Sequence, residues 1–142
     1  NARTPMQWNK DGGFTTGKPW LPINENTSSI NVEESLLNPE SIFYTYQTLI
    51  KLRKKHDILT YGCFQLIEAE HPHLFVYKRI AEGEEWLVVT NFSEKTETLD
   101  KNGCNLPNDK GEIIIANYEN PRVNSRIIEI RPYEAFVIAY KK

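Results

Sequence analysis

Cysteine, histidine and long apolar runs are all scarce in this chain of 142 residues. It has two cysteines and three histidines. Two cysteines are too few for a disulfide scaffold, so Cys63 and Cys104 are expected as free thiols, as suits a reducing cytoplasm. No charge of one sign dominates: 17 Lys and Arg face 19 Asp and Glu, for a formal net charge of −2. Nucleic acid is therefore excluded as a partner, because it is met with clustered Lys and Arg. The longest apolar stretches, residues 112–116 and 135–140, fall far short of the ~20 residues that cross a bilayer, so no membrane span is expected. Gly-rich phosphate loops, nucleophile elbows, internal repeats and low-complexity tracts do not occur. Neither an initiator Met nor a charged segment leading into an apolar one opens the chain. It starts within a polar loop, which points to a processed or truncated product.

What is present divides the chain in three. Residues 1–40 hold four of the eight prolines, three of the seven glycines and two of the three tryptophans. Asp11-Gly12-Gly13 marks a turn, Lys18-Pro19-Trp20-Leu21-Pro22 cannot continue a helix, and residues 24–29 are polar and turn-rich. One short helical turn is expected through Leu37, with Asn31 as N-cap and Glu34 three residues on, close to a capping box. From Asn38 a single long helix is predicted, with Asn38 as N-cap and Pro39 at its first position. Ile42, Tyr46, Leu49 and Ile50 recur at helical spacing, and Lys51, Arg53, Lys54, Lys55 and His56 crowd its negative end. The domain divisions read from this are a loop segment over 1–40, the helix over 41–56 and a β-domain over 57–142.

After Asp57 the pattern is β. Strands are predicted over 58–67, 74–80, 86–92, 96–99, 113–117, 126–130 and 134–140, with turns at Glu82-Gly83, Asn102-Gly103 and 108–111. Short strands at this spacing form an antiparallel β-sandwich, with a core expected to include Phe64, Phe75, Trp86, Val88, Ile114, Ile128 and Phe136. Leu74-Phe75-Val76-Tyr77 and Leu87-Val88-Val89 carry no clean alternation, as where both faces meet cover. The first forty residues pose a difficulty, since a compact domain rarely carries so long a loop without a function. Trp8, Phe14, Trp20, Leu21 and Ile23 would each favour burial by about 1.5–3 kcal/mol. They imply a partner surface, supplied by the helix at 39–56, a neighbouring copy or the rest of a larger chain.

Asn1-Ala2-Arg3-Thr4-Pro5-Met6-Gln7-Trp8-Asn9, followed by Gly13-Phe14-Thr15-Thr16-Gly17-Lys18-Pro19-Trp20-Leu21-Pro22, resembles the late loop of bacterial α-glucosidases in the α-amylase family, glycoside hydrolase family 13. The resemblance continues through Ile30-Asn31-Val32, Leu49-Ile50-Lys51-Leu52-Arg53, Val88-Val89-Thr90-Asn91-Phe92 and Arg131-Pro132-Tyr133-Glu134-Ala135, and so covers the whole chain. Oligo-1,6-glucosidases are most similar, with trehalose-6-phosphate hydrolases and dextran glucosidases nearly as similar. Asn24-Glu25-Asn26-Thr27 stands where that family commonly has Asn-Pro-Asn-Tyr, and Asn9 where Asp is common, which bears on the subgroup. The resemblance implies a mainly β fold: a C-terminal antiparallel β-sandwich, preceded by an irregular loop and one long helix from the end of a (β/α)₈ barrel. The missing N-terminal catalytic barrel would be the partner of this fragment, with an oligosaccharide substrate bound only in the intact parent, in a bacterial cytoplasm.

Retaining glycoside hydrolysis needs two carboxyl groups about 5–5.5 Å apart. The resemblance places both on barrel strands outside this chain, so no catalytic residue, metal site or cofactor is expected in it. Glu33-Glu34, Glu68 with Glu70, and Glu82 to Glu85 read as solvated surface. Arg3 matches the arginine that reaches the non-reducing-end glucose in similar enzymes, and its planar fork of donors suits sugar hydroxyls; a loop staple is the alternative. Trp8 and Trp20 read as loop anchors before sugar platforms, and Tyr44 and Tyr46 as helix packing. His71-Pro72-His73 has no third ligand nearby in sequence and is not expected to hold metal. The sequons at Asn26 and Asn91 are no more than composition yields by chance. Three functions compete: part of an α-glucosidase acting on short α-linked gluco-oligosaccharides, a structural domain that shields a barrel, and a carbohydrate-binding module. The last requires exposed coplanar aromatics on the sandwich, where the sequence offers only Trp86 and several tyrosines, which read as core.

Overall fold

The computed structural model describes residues 3–141, and the chain divides after Lys55 into two compact units. The first holds a 3-10 turn at Glu25–Ser28, helix α1 (Val32–Leu37) and helix α2 (Ile42–Lys55). As the sequence predicts, Asn31 caps α1, its side-chain oxygen accepting from the Glu34 amide at 2.9 Å. Asn38 does not start the long helix. Its amide donates to the Glu34 carbonyl and ends α1, while its side chain accepts from the Glu40 amide at 2.9 Å. That bond ties Pro39-Glu40 into a turn, and α2 begins at Ile42, with the Thr45 amide donating to Ser41. No residue of α2 is buried; Ile42, at 76% exposure, and Tyr46, Leu49 and Ile50 all face solvent.

The second unit is the β-sandwich. Helix α3 (Ile58–Tyr61) leads into β1 (Cys63–Ile67), β2 (Leu74–Ala81), β3 (Glu84–Asn91), β4 (Glu97–Asp100), β5 (Glu112–Ala116), β6 (Arg122–Val123), β7 (Ile127–Ile130) and β8 (Ala135–Lys141). They form a five-stranded sheet ordered β1-β2-β3-β8-β5 and a three-stranded sheet β4-β7-β6, with antiparallel pairing throughout. Val76, Leu87, Val89, Phe136 and Ile138 of the larger sheet meet Leu99, Ile128 and Ile130 of the smaller one in a single buried cluster. A strand starting at Ile58 is corrected by the structure. The first four residues form α3, whose Ile58 packs with Trp86 and Ala139 on the other face of the larger sheet.

Of the seven expected core residues, Trp86, Ile128 and Phe136 are buried, and Val88 and Ile114 are half-buried. Phe64 and Phe75 are exposed instead. The reason is pairing parity: Val76 and Lys78 point into the sandwich, so Phe75 and Tyr77 between them point out, as does Phe64 opposite Arg79.

Several polar side chains inside the sandwich are tied down. Asn91, at the end of β3, donates from Nδ2 to the carbonyls of Lys95 (2.7 Å), Arg131 (3.0 Å) and Ile130 (3.3 Å), and its Oδ1 accepts from Ser93. Its burial makes the second sequon a structural knot. Glu134, fully buried, takes a two-pronged bond from the Arg131 guanidinium at 2.6 and 3.1 Å. Glu85 corrects the reading of residues 82–85 as solvated surface: it is buried and paired with Lys78 at 2.8 Å. Lys101, also buried, donates to the Asp109 carbonyl and lies over the Tyr140 ring.

Asn91→Ala is expected to destabilise the protein by about 2–4 kcal/mol, because it strands several buried carbonyls at once; denaturant unfolding reads this, and a loss below about 1 kcal/mol would refute the knot. Burial, reinforced by a hydrogen bond to Glu68, pushes the Cys104 thiol from 9.0 up to about 12. A raised thiol pKa holds its proton longer in the folded state, so its contribution is full below pH ~9 and falls as pH climbs toward ~12. Cys104→Ala should flatten that alkaline loss in circular dichroism, and in native protein only the exposed Cys63 should react quickly with a thiol reagent.

Candidate functional site

The loop before α1 is ordered by hydrogen bonds more than by apolar burial. Its first device is a tight turn, in which the Gly12 amide donates to the Asn9 carbonyl at 2.9 Å and the Trp8 amide to the Gly12 carbonyl at 2.7 Å. Gly12 takes φ 95°, the left-handed region that closes such a turn without a Cβ penalty. The second device is a clasp. The Gln7 side chain accepts from Asn24 Nδ2 at 3.2 Å and donates to Asn26 Oδ1 at 3.2 Å and to the Ile30 carbonyl. The third uses the start of α1, where helix amides have no partner of their own: Val32 and Glu33 donate to the carbonyls of Gln7 and Trp8 at 2.9 and 3.1 Å. The segment is thus held by its own side chains and by α1, where the sequence reading looked to the helix at 39–56 or a neighbouring copy.

These bonds leave the large side chains outside. Trp20 is 79% exposed, and Trp8 and Phe14 are at least half exposed. The Arg3 guanidinium carbon lies 5.2 Å from the centroid of the Trp20 ring, a cation over an aromatic face, and Arg3 is itself exposed. The same loop holds a hollow of about 540 Å³ lined by Thr4, Pro22, Ile23, Asn24, Glu25 and Asn26. Glu25 is the one carboxylate among these lining residues, and a pair is needed for glycoside hydrolysis. The hollow presents the Thr4 hydroxyl, the Asn24 and Asn26 amides and the Glu25 carboxylate beside the apolar Pro22 and Ile23.

The other candidates resolve into structure. His73 Nδ1 lies 2.6 Å from Glu97 Oε1, and His71 Nδ1 accepts from the amides of His73 and Leu74, so the two imidazoles fasten the β1–β2 turn to β4. Glu97 is the nearby carboxylate that sequence spacing could not reveal, yet no three His, Cys, Asp or Glu among the described residues are grouped to hold a metal ion. Trp86 is buried and donates to Glu84, and Tyr44 donates to the Leu36 carbonyl at 3.0 Å. Among the described residues no helix is long and apolar enough to cross a membrane. Nothing in the sequence singles out Gln7 or Asn24 on its own. Their signal was the amide-rich spacing of 24–31 opposite Gln7.

Residues 1–62 match the α-amylase catalytic domain, and residues 64–137 match the C-terminal domain of maltogenic amylase. The chain belongs to the α-amylase family. It is 45% identical to an oligo-1,6-glucosidase of Heyndrickxia coagulans over 144 aligned residues, covering 100% of this chain and 24% of that protein. It is 38% identical to the trehalose-6-phosphate hydrolase of Bacillus subtilis, covering 100% of this chain and 26% of the relative. The crystal structure of Bacillus licheniformis trehalose-6-phosphate hydrolase superposes with a TM-score of 0.87 at 37% identity, over all of this chain and 26% of that one. The chain therefore spans about a quarter of the length of these α-amylase-family relatives. The division between the two family matches, at residue 63, falls where α3 gives way to β1.

Gln7→Ala should open the loop without touching the sandwich, because Asn24, Asn26 and the Ile30 carbonyl lose their partner at one stroke. Limited proteolysis is expected to cut faster within residues 22–31 while the 56–141 portion keeps its resistance; unchanged cutting would mean that the clasp is dispensable.

Proposed function

We propose that the chain works as part of an α-glucosidase about four times its length, which hydrolyses short α-linked gluco-oligosaccharides with retention of configuration. In this reading the sandwich is an accessory domain and the loop of residues 3–31 is turned toward the substrate. The two carboxyl groups that perform the chemistry come from the rest of the catalytic domain. The observation that carries the proposal is the loop itself: a self-clasped, polar-bonded segment that presents Arg3, Trp20 and an amide-lined hollow to a space this chain does not fill. Arg3 is assigned the non-reducing-end glucose, its guanidinium donating to vicinal hydroxyls. Two free thiols, Cys63 and Cys104, suit a cytoplasmic setting.

A second reading is favoured by the superposition on trehalose-6-phosphate hydrolase at TM-score 0.87. Its substrate would carry a phosphate. Parallel assays of the whole enzyme on isomaltose and trehalose 6-phosphate separate the two readings.

Arg3→Ala in the whole enzyme should lower kcat/KM roughly 10- to 150-fold, the worth of one charge-assisted bond of about 1.5–3 kcal/mol. Arg53→Ala, on α2, and Arg126→Ala, in an exposed turn, remove the same charge and should cost under ~1 kcal/mol of stability and little catalysis. Equal small effects from all three, at unchanged melting temperatures, would leave Arg3 a loop staple. The 142-residue chain alone should not turn over p-nitrophenyl α-glucoside; turnover above a buffer control would overturn the assignment.

A further inference from the structure

Asn102-Gly103 is the one place among thirteen asparagines where glycine follows. It lies in the turn between β4, which ends at Asp100, and β5. Backbone bonds hold that turn. The Cys104 amide donates to the Asp100 carbonyl at 3.2 Å, the Leu106 amide to the Lys101 carbonyl at 2.9 Å, and the Asn102 amide to Asp100 Oδ1 at 3.0 Å. Asn102 and Gly103 are nonetheless both exposed. Among the described residues, neither the Asn102 side chain nor the Gly103 amide has a hydrogen-bond partner.

An asparagine side chain carries an electrophilic amide carbon within reach of the next residue's backbone nitrogen, and joining the two closes a five-membered ring. A Cβ on that next residue crowds the approach, and glycine has none. Hydrogen bonds to the side chain restrain it as well, as other asparagines of this chain show. Asn91 and Asn117 are bonded through both the oxygen and the nitrogen of their side chains. Asn105 and Asn108 are followed by Leu106 and Asp109, and Asn120 by Pro121, which has no N–H to give up. Among the described residues, only Asn102 combines an unbonded side chain with an unbonded and unhindered nucleophile.

We propose that Asn102 is a site of spontaneous deamidation, and that its isoaspartyl product loosens the sandwich around Cys104. The Gly103 nitrogen attacks Asn102 Cγ. The Cγ–Nδ2 bond breaks, and Nδ2 leaves as ammonia with the proton that the backbone amide gives up. Water then opens the succinimide at either carbonyl, leaving aspartate or isoaspartate, with no oxidation or reduction at any step. Each product adds a negative charge to a chain whose formal net charge is −2. Isoaspartate also routes the backbone through the side chain and lengthens it by one carbon. The residues that follow have no slack to absorb it. Cys104 and Leu106 are buried, and Asn105, at φ 51°, accepts on its carbonyl from the buried Lys78 ammonium at 2.9 Å. A longer turn shifts these three residues against the core.

The test ages the folded 142-residue chain in neutral buffer beside Gly103→Ala and Asn102→Asp. Gly103 tolerates the substitution: its φ is not positive, and an added Cβ would meet only the Asp100 carbonyl, at 3.7 Å. Trypsin cuts after Lys101 and Lys110, and fragment masses within the released peptide locate the change against an unaged sample digested alike. Asn102 should gain one mass unit at least ~10-fold faster than Asn105 or Asn108, and Gly103→Ala should slow that gain by a similar factor. The aged chain should then expose Cys104 to a thiol reagent. Fresh Asn102→Asp, which has the charge without the longer backbone, should keep Cys104 protected. No mass gain at Asn102 in the folded chain, a gain only in denaturant, an equal rate in Gly103→Ala, or a Cys104 as protected after the gain as before it would each overturn the proposal.

Discussion

Apolar side chains must find cover, and the two units of this protein meet that requirement differently. In the sandwich, Val76, Leu87, Val89, Ile128, Ile130 and Ile138 are wholly excluded from water, so the two sheets stabilise each other. Helix α2 has the spacing of an amphipathic helix and not one buried residue. A fourteen-residue helix draws most of its stability from packing, since isolated helices of that length are marginal in water. The sandwich carries its own buried core, whereas the loop and helices before it leave most of their large apolar side chains exposed.

Polar chemistry follows the same division. Inside the sandwich, Asn91, Glu134 with Arg131, and Lys78 with Glu85 are buried and bonded, so they pin strand ends and turns without binding anything. In the loop, Gln7, Asn24 and Asn26 bond one another at the surface, and Asn24 and Asn26 also border the hollow. The loop thus keeps its polar groups bonded to one another while Arg3 and the Trp20 ring stay exposed.

Much of this was legible in the sequence because local rules applied. Asn31 before Val32 and Glu34 specified a cap, and turn residues between β-rich runs located the sandwich. The errors arose where a distant partner decided. Asn38 followed by Pro39 reads as a helix start, yet the Glu34 carbonyl one turn back captured its amide. Ile58 looked like a strand residue until its packing on Trp86, twenty-eight positions on, favoured a helical turn. Phe64 and Phe75 looked like core because hydrophobicity alone does not say which face of a strand is covered, and Glu85 looked solvated because Lys78 lies across a hairpin. Of the site, Arg3 was readable from its motif, while the Gln7 clasp and the hollow needed coordinates.

The central claim is that the sandwich has its own core and that α2 secures no burial of its own within this chain. Native-state hydrogen exchange on the 142-residue protein tests it directly, because protection follows the burial that each element secures for itself. The account predicts that amides of β2, β3 and β8 exchange only through global unfolding, while those of α2 exchange orders of magnitude faster. Protection of α2 equal to that of the sandwich strands would contradict it.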